Sequence, residues 1–151
     1  MFRWYGNIGG CGSVGLLVLR LVMGAAFLFH GWPKIQNATT WMDAFPGAPP
    51  PYLQAAAAVA EFGGGISLII GFLTPLFAFL LACTMATAAL MVHIPKGDPF
   101  VSQGGASWEL AAVYFAASVM FLLVGPGQLS LDHCLFGRRR SAADLPPYAN
   151  R

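Results

Sequence analysis

The sequence predicts an all-α integral membrane protein, built as an antiparallel bundle of four spanning helices. Hydrophobic residues make up 57% of the 151-residue chain and charged residues only 9%, which is too little charge for the surface of a soluble domain. The apolar residues are concentrated in four stretches of about 17–22 residues, a length that crosses a bilayer as a helix. Polar and turn-forming residues separate these stretches, so neighbouring helices are expected to run in opposite directions.

The four predicted spans cover residues 13–32, 52–73, 75–94 and 108–124. Residues 1–12 are then a cytoplasmic N-terminal segment, residues 13–124 the membrane bundle, and residues 125–151 a basic cytoplasmic C-terminal tail. Spans two and three have almost nothing between them, which predicts a short cytoplasmic hairpin. In that hairpin we expect Thr74 to cap the third helix and Pro75 to occupy its first turn.

The basic residues are unevenly distributed between the two sides of the predicted bundle. Arg3 precedes the first span, and four arginines follow the last one, at positions 138, 139, 140 and 151. The connections between spans one and two and between spans three and four contain only Lys34 and Lys96. The positive-inside rule therefore places both termini in the cytoplasm and these two connections outside. A basic tail that binds anionic lipid head groups is equally compatible with this pattern.

The two connections on the outer side predict a cover over that end of the bundle. The first, residues 33–51, is long and ends in a run of prolines. Within it, Asn37 is a candidate cap for a short interfacial helix over residues 38–45. The second, residues 96–107, is rich in glycine and other turn-forming residues.

Two charges lie at mid-depth in the predicted spans. At a rise of about 1.5 Å per residue, Arg20 lies about 15 Å below His30 at the outer end of span one, and Glu61 about 14 Å below the start of span two. An unpaired charge in hydrocarbon costs roughly 3 kcal/mol on insertion scales. We therefore predict an Arg20–Glu61 ion pair between adjacent helices. This pair is either a structural link or part of a proton-handling or ligand-binding site.

Three further titratable groups, His30, His93 and Glu109, share the outer level and come from three different spans. Convergent imidazole and carboxylate groups can bind a metal, receive a proton or hydrogen-bond a quinone carbonyl. Equally, Glu109 suits a helix N-terminus, and the histidines suit an interface where water or backbone satisfies them. No HxxxH or ExxH spacing is present, so no metal site is predicted. The candidate catalytic residues are Glu61 and His93, and the candidate ligand-binding residues are His30, Lys34, Glu61, His93 and Glu109.

The sequence offers little other chemistry. No nucleophile elbow and no CxxC or CxxCH motif is present, and the three glycines at 63–65 lie inside a span, where they predict helix packing. Cys11, Cys83 and Cys134 all fall within or on the cytoplasmic side of the membrane, so no structural disulfide is expected. The net charge of +2 gives no argument for a nucleic-acid partner.

Five short motifs occur in order along the chain. They are Phe29-His30-Gly31-Trp32-Pro33-Lys34-Ile35, Ala60-Glu61-Phe62-Gly63-Gly64-Gly65, Val92-His93-Ile94-Pro95-Lys96-Gly97, Glu109-Leu110-Ala111 and Gly125-Pro126-Gly127-Gln128-Leu129-Ser130-Leu131-Asp132. Together they resemble the DoxX family of small bacterial membrane proteins over roughly residues 16–132. The resemblance implies a multi-pass protein of the bacterial inner membrane with four helices. Its polar pattern is matched here by Arg20, His30, Lys34, Glu61, His93 and Glu109.

The resemblance also implies a redox context. The family name comes from a quinone-linked thiosulfate oxidation system, and relatives are named as quinol oxidase or thiosulfate:quinone oxidoreductase subunits. We therefore expect a subunit of a quinone-linked or other redox membrane assembly, with no intrinsic cofactor, quinone as the candidate ligand, and other membrane subunits or a second copy as partners. Whether the chain is itself an enzyme stays open.

Two other classes of function are compatible with the sequence. One is a non-catalytic accessory subunit that docks its small-residue faces onto a larger respiratory or photosynthetic complex. The other is a solute or ion transporter, although four spans without an inverted repeat form too small a bundle for alternating access unless the protein dimerises.

Overall fold

The computed structural model describes residues 10–45 and 47–137. The described chain is helical and contains no β-strand; its helices are α1 Gly10–Gln36, α2 Pro51–Ile70, α3 Thr74–Thr87, α4 Glu109–Val124 and α5 Leu131–Phe136. A π-helical segment, Ala88–His93, continues α3 without a break. These elements confirm the predicted all-α membrane bundle. Arg3 and the C-terminal arginines lie outside the described residues.

Three of these helices are long and apolar enough to cross a membrane: Gly10–Gln36, Pro51–Ile70 and the combined Thr74–His93. The fourth, α4, has 16 residues and is about 24 Å long, somewhat shorter than a hydrocarbon core of about 30 Å. Large apolar side chains such as Phe29, Val22 and Met91 remain exposed on the helix surfaces. This pattern is expected when lipid, rather than water, surrounds a bundle.

The bundle has two ends that differ in chemistry. We call the "loop end" the end that carries residues 37–50, between α1 and α2, and residues 94–108, between the π-helical segment and α4. We call the "hairpin end" the opposite end, which carries the turn at residues 71–73 and the segment 125–137. Helix α1 packs on α2, α2 on α3, and α3 on α4.

Glycines set the close approach of α1 to α2. A Cβ atom added to Gly31 would lie 2.5 Å from the backbone nitrogen of Phe62, and one on Gly65 would lie 2.8 Å from the carbonyl oxygen of Gly24. Gly63 and Gly64 face α3 instead, because a Cβ on Gly63 would lie 2.8 Å from Phe77 and a Cβ on Gly64 would lie 2.9 Å from Leu81. The three consecutive glycines therefore serve two interfaces, which supports the prediction that they pack helices together.

These contacts predict a strong difference between two glycines of the same helix. Gly31→Ala should lower the free energy of unfolding by about 1–3 kcal/mol, because its methyl group must displace the backbone of α2. Gly15→Ala is the matched control, since no atom lies within 4 Å of its Cβ position. Unfolding by sodium dodecyl sulfate in mixed micelles measures both. Equal stability of the two variants would contradict the packing described here.

The connection between α1 and α2 differs from the prediction. Residues 37–45 form consecutive turns, with backbone hydrogen bonds such as Thr40 N to Asn37 O at 3.0 Å and Phe45 N to Met42 O at 2.9 Å. The predicted short helix over 38–45 was therefore wrong. Helix α1 itself continues past Pro33 to Gln36, so twelve residues, 37–48, remain before the proline run. Side-chain hydrogen bonds of Gln54 hold part of this segment in place.

Candidate functional site

The loop end contains a buried ion pair between α1 and α2. The ammonium nitrogen of Lys34 lies 2.6 and 2.7 Å from the two carboxylate oxygens of Glu61, so it bridges both oxygens. The side chain of Glu61 is only 3% exposed, whereas that of Lys34 is 24% exposed. A carboxylate this deeply buried depends on its partner, because no water can replace the ammonium group.

The predicted Arg20–Glu61 ion pair was wrong, because the two residues lie at different levels. The contacts of Gly31 with Phe62 and of Gly24 with Gly65 set the register of α1 against α2. This register places Glu61 near the level of Gly31, about three helical turns, or about 16 Å, from Arg20. The prediction ended α1 at residue 32 and started α2 at the same level. In the structure α1 continues to Gln36, and the first residues of α2 lie beside the turns that follow α1, not beside α1 itself.

A strap formed by residues 41–43 holds the connection over this ion pair. The indole ring of Trp41 lies over the Lys34 ammonium, 4.5 Å from nitrogen to ring centroid, and its N–H donates to the backbone oxygen of Gln54. The buried amide of Gln54 accepts from Met42 N and donates to the carboxylate of Asp43 and to a proline carbonyl. Every polar atom of the Gln54 amide is thus used to fix the strap.

A second pair joins the end of the π-helical segment to the connection that follows it. His93 Nδ1 and Asp98 Oδ2 lie 2.8 Å apart, and Asp98 N donates to the carbonyl oxygen of His93 at 3.1 Å. In the same connection, Lys96 lies 5.2 Å from the centroid of the Phe45 ring. The two connections of the loop end therefore touch each other, and we call them together the cover of that end.

The other two predicted residues of the outer level do not join His93. The His30 ring is exposed and lies edge-on to Tyr114 of α4, with centroids 6.4 Å apart. Glu109 is the exposed first residue of α4, the helix N-terminal position that was the alternative explanation for it. Among the described residues, no three His, Cys, Asp or Glu side chains converge as a metal-binding group would.

The hairpin end contains the other buried polar cluster, and Arg20 is its centre. Its guanidinium donates to the carbonyl oxygens of Pro126 and Leu129, each at 2.9 Å. The buried carboxylate of Asp132 attracts it electrostatically. Arg20 thus connects α1 to the segment that follows α4, rather than to α2. Its charge is balanced by backbone dipoles and by an acidic residue more than a hundred positions later.

Asp132 also caps α3. Its carboxylate accepts hydrogen bonds from the backbone N–H groups of Leu73 and Thr74, at 2.8 and 2.9 Å. Thr74 was predicted to provide this cap, but it is the first residue of α3 and its buried hydroxyl has no hydrogen-bond partner. Residues 125–137 therefore belong to the folded bundle. The predicted tail of 125–151 begins too early, because its first part packs on the hairpin end.

An apolar groove lies on the surface between α1 and α2. Its volume is about 570 Å³, and its lining side chains are Ala25, Leu28, Phe29, Trp32, Phe62 and Ile66. Two aromatic rings of the lining, Trp32 and Phe62, lie 5.8 Å apart.

Sequence reasoning missed three residues of these sites. Gln54 had a visible signal, since it is a lone amide among alanines in an apolar helix and such groups are buried only when hydrogen-bonded. Asp98 and Asp132 had no such signal in the sequence. Whether each carboxylate reaches its hydrogen-bond partner depends on the path of a connection between helices. Periodicity within a helix carries no information about that path.

Comparison with known proteins agrees with this architecture. A family model described as DoxX matches residues 15–94. An uncharacterized protein of Haemophilus influenzae is 34% identical over 124 residues, covering 80% of this chain and 90% of that protein. Inner membrane protein YphA of Escherichia coli is 31% identical over 134 residues, covering 85% and 95%. "Putative oxidoreductase CatD" of Bacillus subtilis is 26% identical over 130 residues, covering 85% and 92%. No solved structure gives a significant match.

Proposed function

The chain belongs to the DoxX family of membrane proteins, and from that premise we propose that it is a subunit of a quinone-linked redox assembly in the inner membrane. The observation that carries the proposal is the buried Lys34–Glu61 pair beneath the cover of the loop end. An ionisable pair inside an apolar bundle at the rim of the membrane is a candidate site for proton transfer with a lipid-soluble reductant. The name of the Bacillus subtilis relative supports a redox role.

The described residues offer the chemistry that a quinone requires. A quinone needs an apolar surface for its isoprenoid chain and hydrogen-bonding groups for its oxygens. The groove between α1 and α2 supplies the apolar surface, and at the loop end Lys34 supplies a donor group and His93 an acceptor group. Oxidation of a quinol releases two protons and two electrons. In this proposal Glu61 accepts a proton, and the electrons pass to a one-electron redox centre in a partner subunit.

Substitution of Glu61 tests the proposal. Membranes that contain Glu61→Gln should oxidise decylubiquinol at a rate about 10²-fold lower than membranes with the unaltered protein, because glutamine retains the shape but cannot accept the proton. The rate is measured by ultraviolet absorbance in membranes that contain equal amounts of the two proteins. Thr84→Val is the control for a polar substitution within a span, since the Thr84 hydroxyl donates only to a carbonyl of its own helix.

Unchanged turnover in Glu61→Gln would reject the proton-accepting role. An assembly that turns over quinol equally well without this chain would reject the redox proposal altogether.

A second candidate, the accessory subunit, is favoured by one observation. The buried charges at both ends satisfy each other or bond to backbone within the chain, as a purely structural network would. The double variant Lys34→Met/Glu61→Gln separates the two functions, because it removes both charges and leaves no unpaired one. A structural role predicts that the double variant is stable and fully active in the assembly. A proton-accepting role predicts that it is stable and inactive.

The orientation of the chain is part of the proposal. We place the hairpin end in the cytoplasm, in agreement with the basic residues that follow it. A variant that retains only Cys134, which is exposed at that end, should react with a membrane-impermeant maleimide in inverted vesicles and not in spheroplasts. Gln103→Cys in the same cysteine-free background is the matched control, since Gln103 is exposed at the loop end and should show the opposite pattern. Labelling of Cys134 in spheroplasts would reverse the topology.

A further inference from the structure

We propose that Asp98 is a positioning residue that makes His93 a proton acceptor for the hydroxyl group of a membrane-soluble quinol. The inference rests on the proposed function and adds to it a specific residue pair. The observation that carries it is the pair of hydrogen bonds that joins the two residues. Asp98 bonds to His93 twice, through its carboxylate and through its backbone N–H.

The chemistry of the pair fixes the state of the imidazole. An ionised carboxylate can only accept hydrogen bonds, so the 2.8 Å contact requires His93 Nδ1 to carry the hydrogen and to donate it to Asp98. In the neutral ring the other nitrogen, Nε2, is then the unprotonated acceptor. A carboxylate that orients an imidazole in this way also stabilises the imidazolium that forms on proton uptake.

The backbone holds the ring in this position. His93 ends the π-helical segment, in which Ile94 N donates to Ala89 O, five residues earlier. A single π-helical turn within an α-helix is rare and is common at functional sites. With α-helical spacing His93 would share a helix face with Ala89, four residues earlier. The wider turn changes that direction and brings the ring to the connection where Asp98 lies.

The surroundings of His93 suit a substrate that arrives from the lipid. The neighbouring side chains Leu90, Met91 and Ile94 are 63%, 75% and 44% exposed on the apolar surface of the bundle. His93 itself is 29% exposed and Asp98 19%, so the pair lies at the boundary between this apolar surface and the polar cover. In this proposal a quinol hydroxyl approaches Nε2 along that apolar surface.

The proposed step balances as follows. The quinol O–H bond breaks, its proton forms a bond with His93 Nε2, and the resulting imidazolium is neutralised by Asp98. The second hydroxyl proton goes to Glu61, as proposed above. The two electrons leave singly to a redox centre such as a haem or iron–sulfur cluster of the partner subunit, and quinone is released.

The test combines a kinetic measurement on the full-length protein in its assembly with a spectroscopic measurement on the full-length protein. With decylubiquinol as the probe, His93→Gln should lower kcat by about 10²-fold, and Asp98→Asn by about tenfold, with KM changed less than about twofold. Asp98→Glu should recover part of the loss, because it restores the acceptor. Ser102→Ala is the control for the connection, since Ser102 only accepts a bond from Gly105 N in an exposed turn.

The spectroscopic arm distinguishes positioning from a merely structural role. Nitrogen-15 magnetic resonance of the histidine rings, with the His93 signal identified by its loss in His93→Gln, should show hydrogen on Nδ1. In Asp98→Asn this preference should weaken. Hydrogen on Nε2 in the unaltered protein, or normal kcat in Asp98→Asn, would overturn the inference. Absence of quinol oxidation by the unaltered assembly would instead reject the proposed function and with it the proton transfer, and the His93 spectrum would still decide whether Asp98 positions the ring.

Discussion

Replacing Lys34 by methionine should lower the free energy of unfolding by about 3–5 kcal/mol, the cost of leaving a buried charge without its partner. Methionine can occupy the volume of the lysine stem but cannot neutralise Glu61, whose side chain is 3% exposed. Glu61→Gln should cost less, because the remaining Lys34 is 24% exposed and can bring its ammonium group to water. Titration with sodium dodecyl sulfate in mixed micelles measures both variants.

The double variant of this pair provides the internal control. Lys34→Met/Glu61→Gln should recover most of the loss caused by Lys34→Met, since a buried pair is often replaced by neutral groups at little cost. The coupling free energy from the complete cycle isolates the interaction between the two residues. Additive effects of the two substitutions would show that the ion pair contributes nothing to stability.

Replacing Arg20 by methionine should have an effect of similar size at the opposite end, about 3–5 kcal/mol. The substitution leaves the carbonyl groups of Pro126 and Leu129 without their donors and the buried Asp132 without a nearby positive charge. Arg20→Lys should rescue little of the loss, because one ammonium group cannot reproduce the planar fork that reaches both carbonyl oxygens.

Hydrogen exchange localises this second effect. In Arg20→Met the backbone amides of Leu73 and Thr74 should exchange faster, because Asp132 no longer holds them firmly. Amides at the loop end, such as Met42 N bonded to Gln54, serve as the reference in the same sample. Uniform acceleration at both ends would mean that Arg20 stabilises the bundle as a whole and has no local role.

The helices could be predicted from the sequence because each depends on its own composition. Apolar length predicted the four helices, and the consecutive glycines predicted close packing between them. The ends of the helices were predicted less well. Span one was predicted to end at residue 32, yet α1 continues through Pro33 to Gln36, although a proline there removes one i→i−4 hydrogen bond of the helix.

The positions of the helix ends decided which charged residue contacts Glu61. The additional turn of α1 and the start of α2 beside the turns that follow α1 together shift the level that faces Glu61, so the partner of Glu61 is Lys34 and not Arg20. Depth counted from predicted helix ends has an uncertainty of several residues at each end, and a salt bridge requires contact within about 4 Å. The sequence therefore identified Arg20, Lys34, Glu61 and His93 as polar residues of the membrane domain, but it could not assign their partners.

The cap that Asp132 places on α3 has a consequence for biosynthesis. The first amides of α3 and the guanidinium of Arg20 find their hydrogen-bond partners within residues 126–132. These residues are synthesised after every spanning helix. A chain that stopped at Val124 would contain all of its membrane helices and still lack the native hairpin end. The hairpin end can therefore close only after the last spanning helix has been synthesised, and a reporter fused to this protein must follow Gly137 to leave these contacts intact.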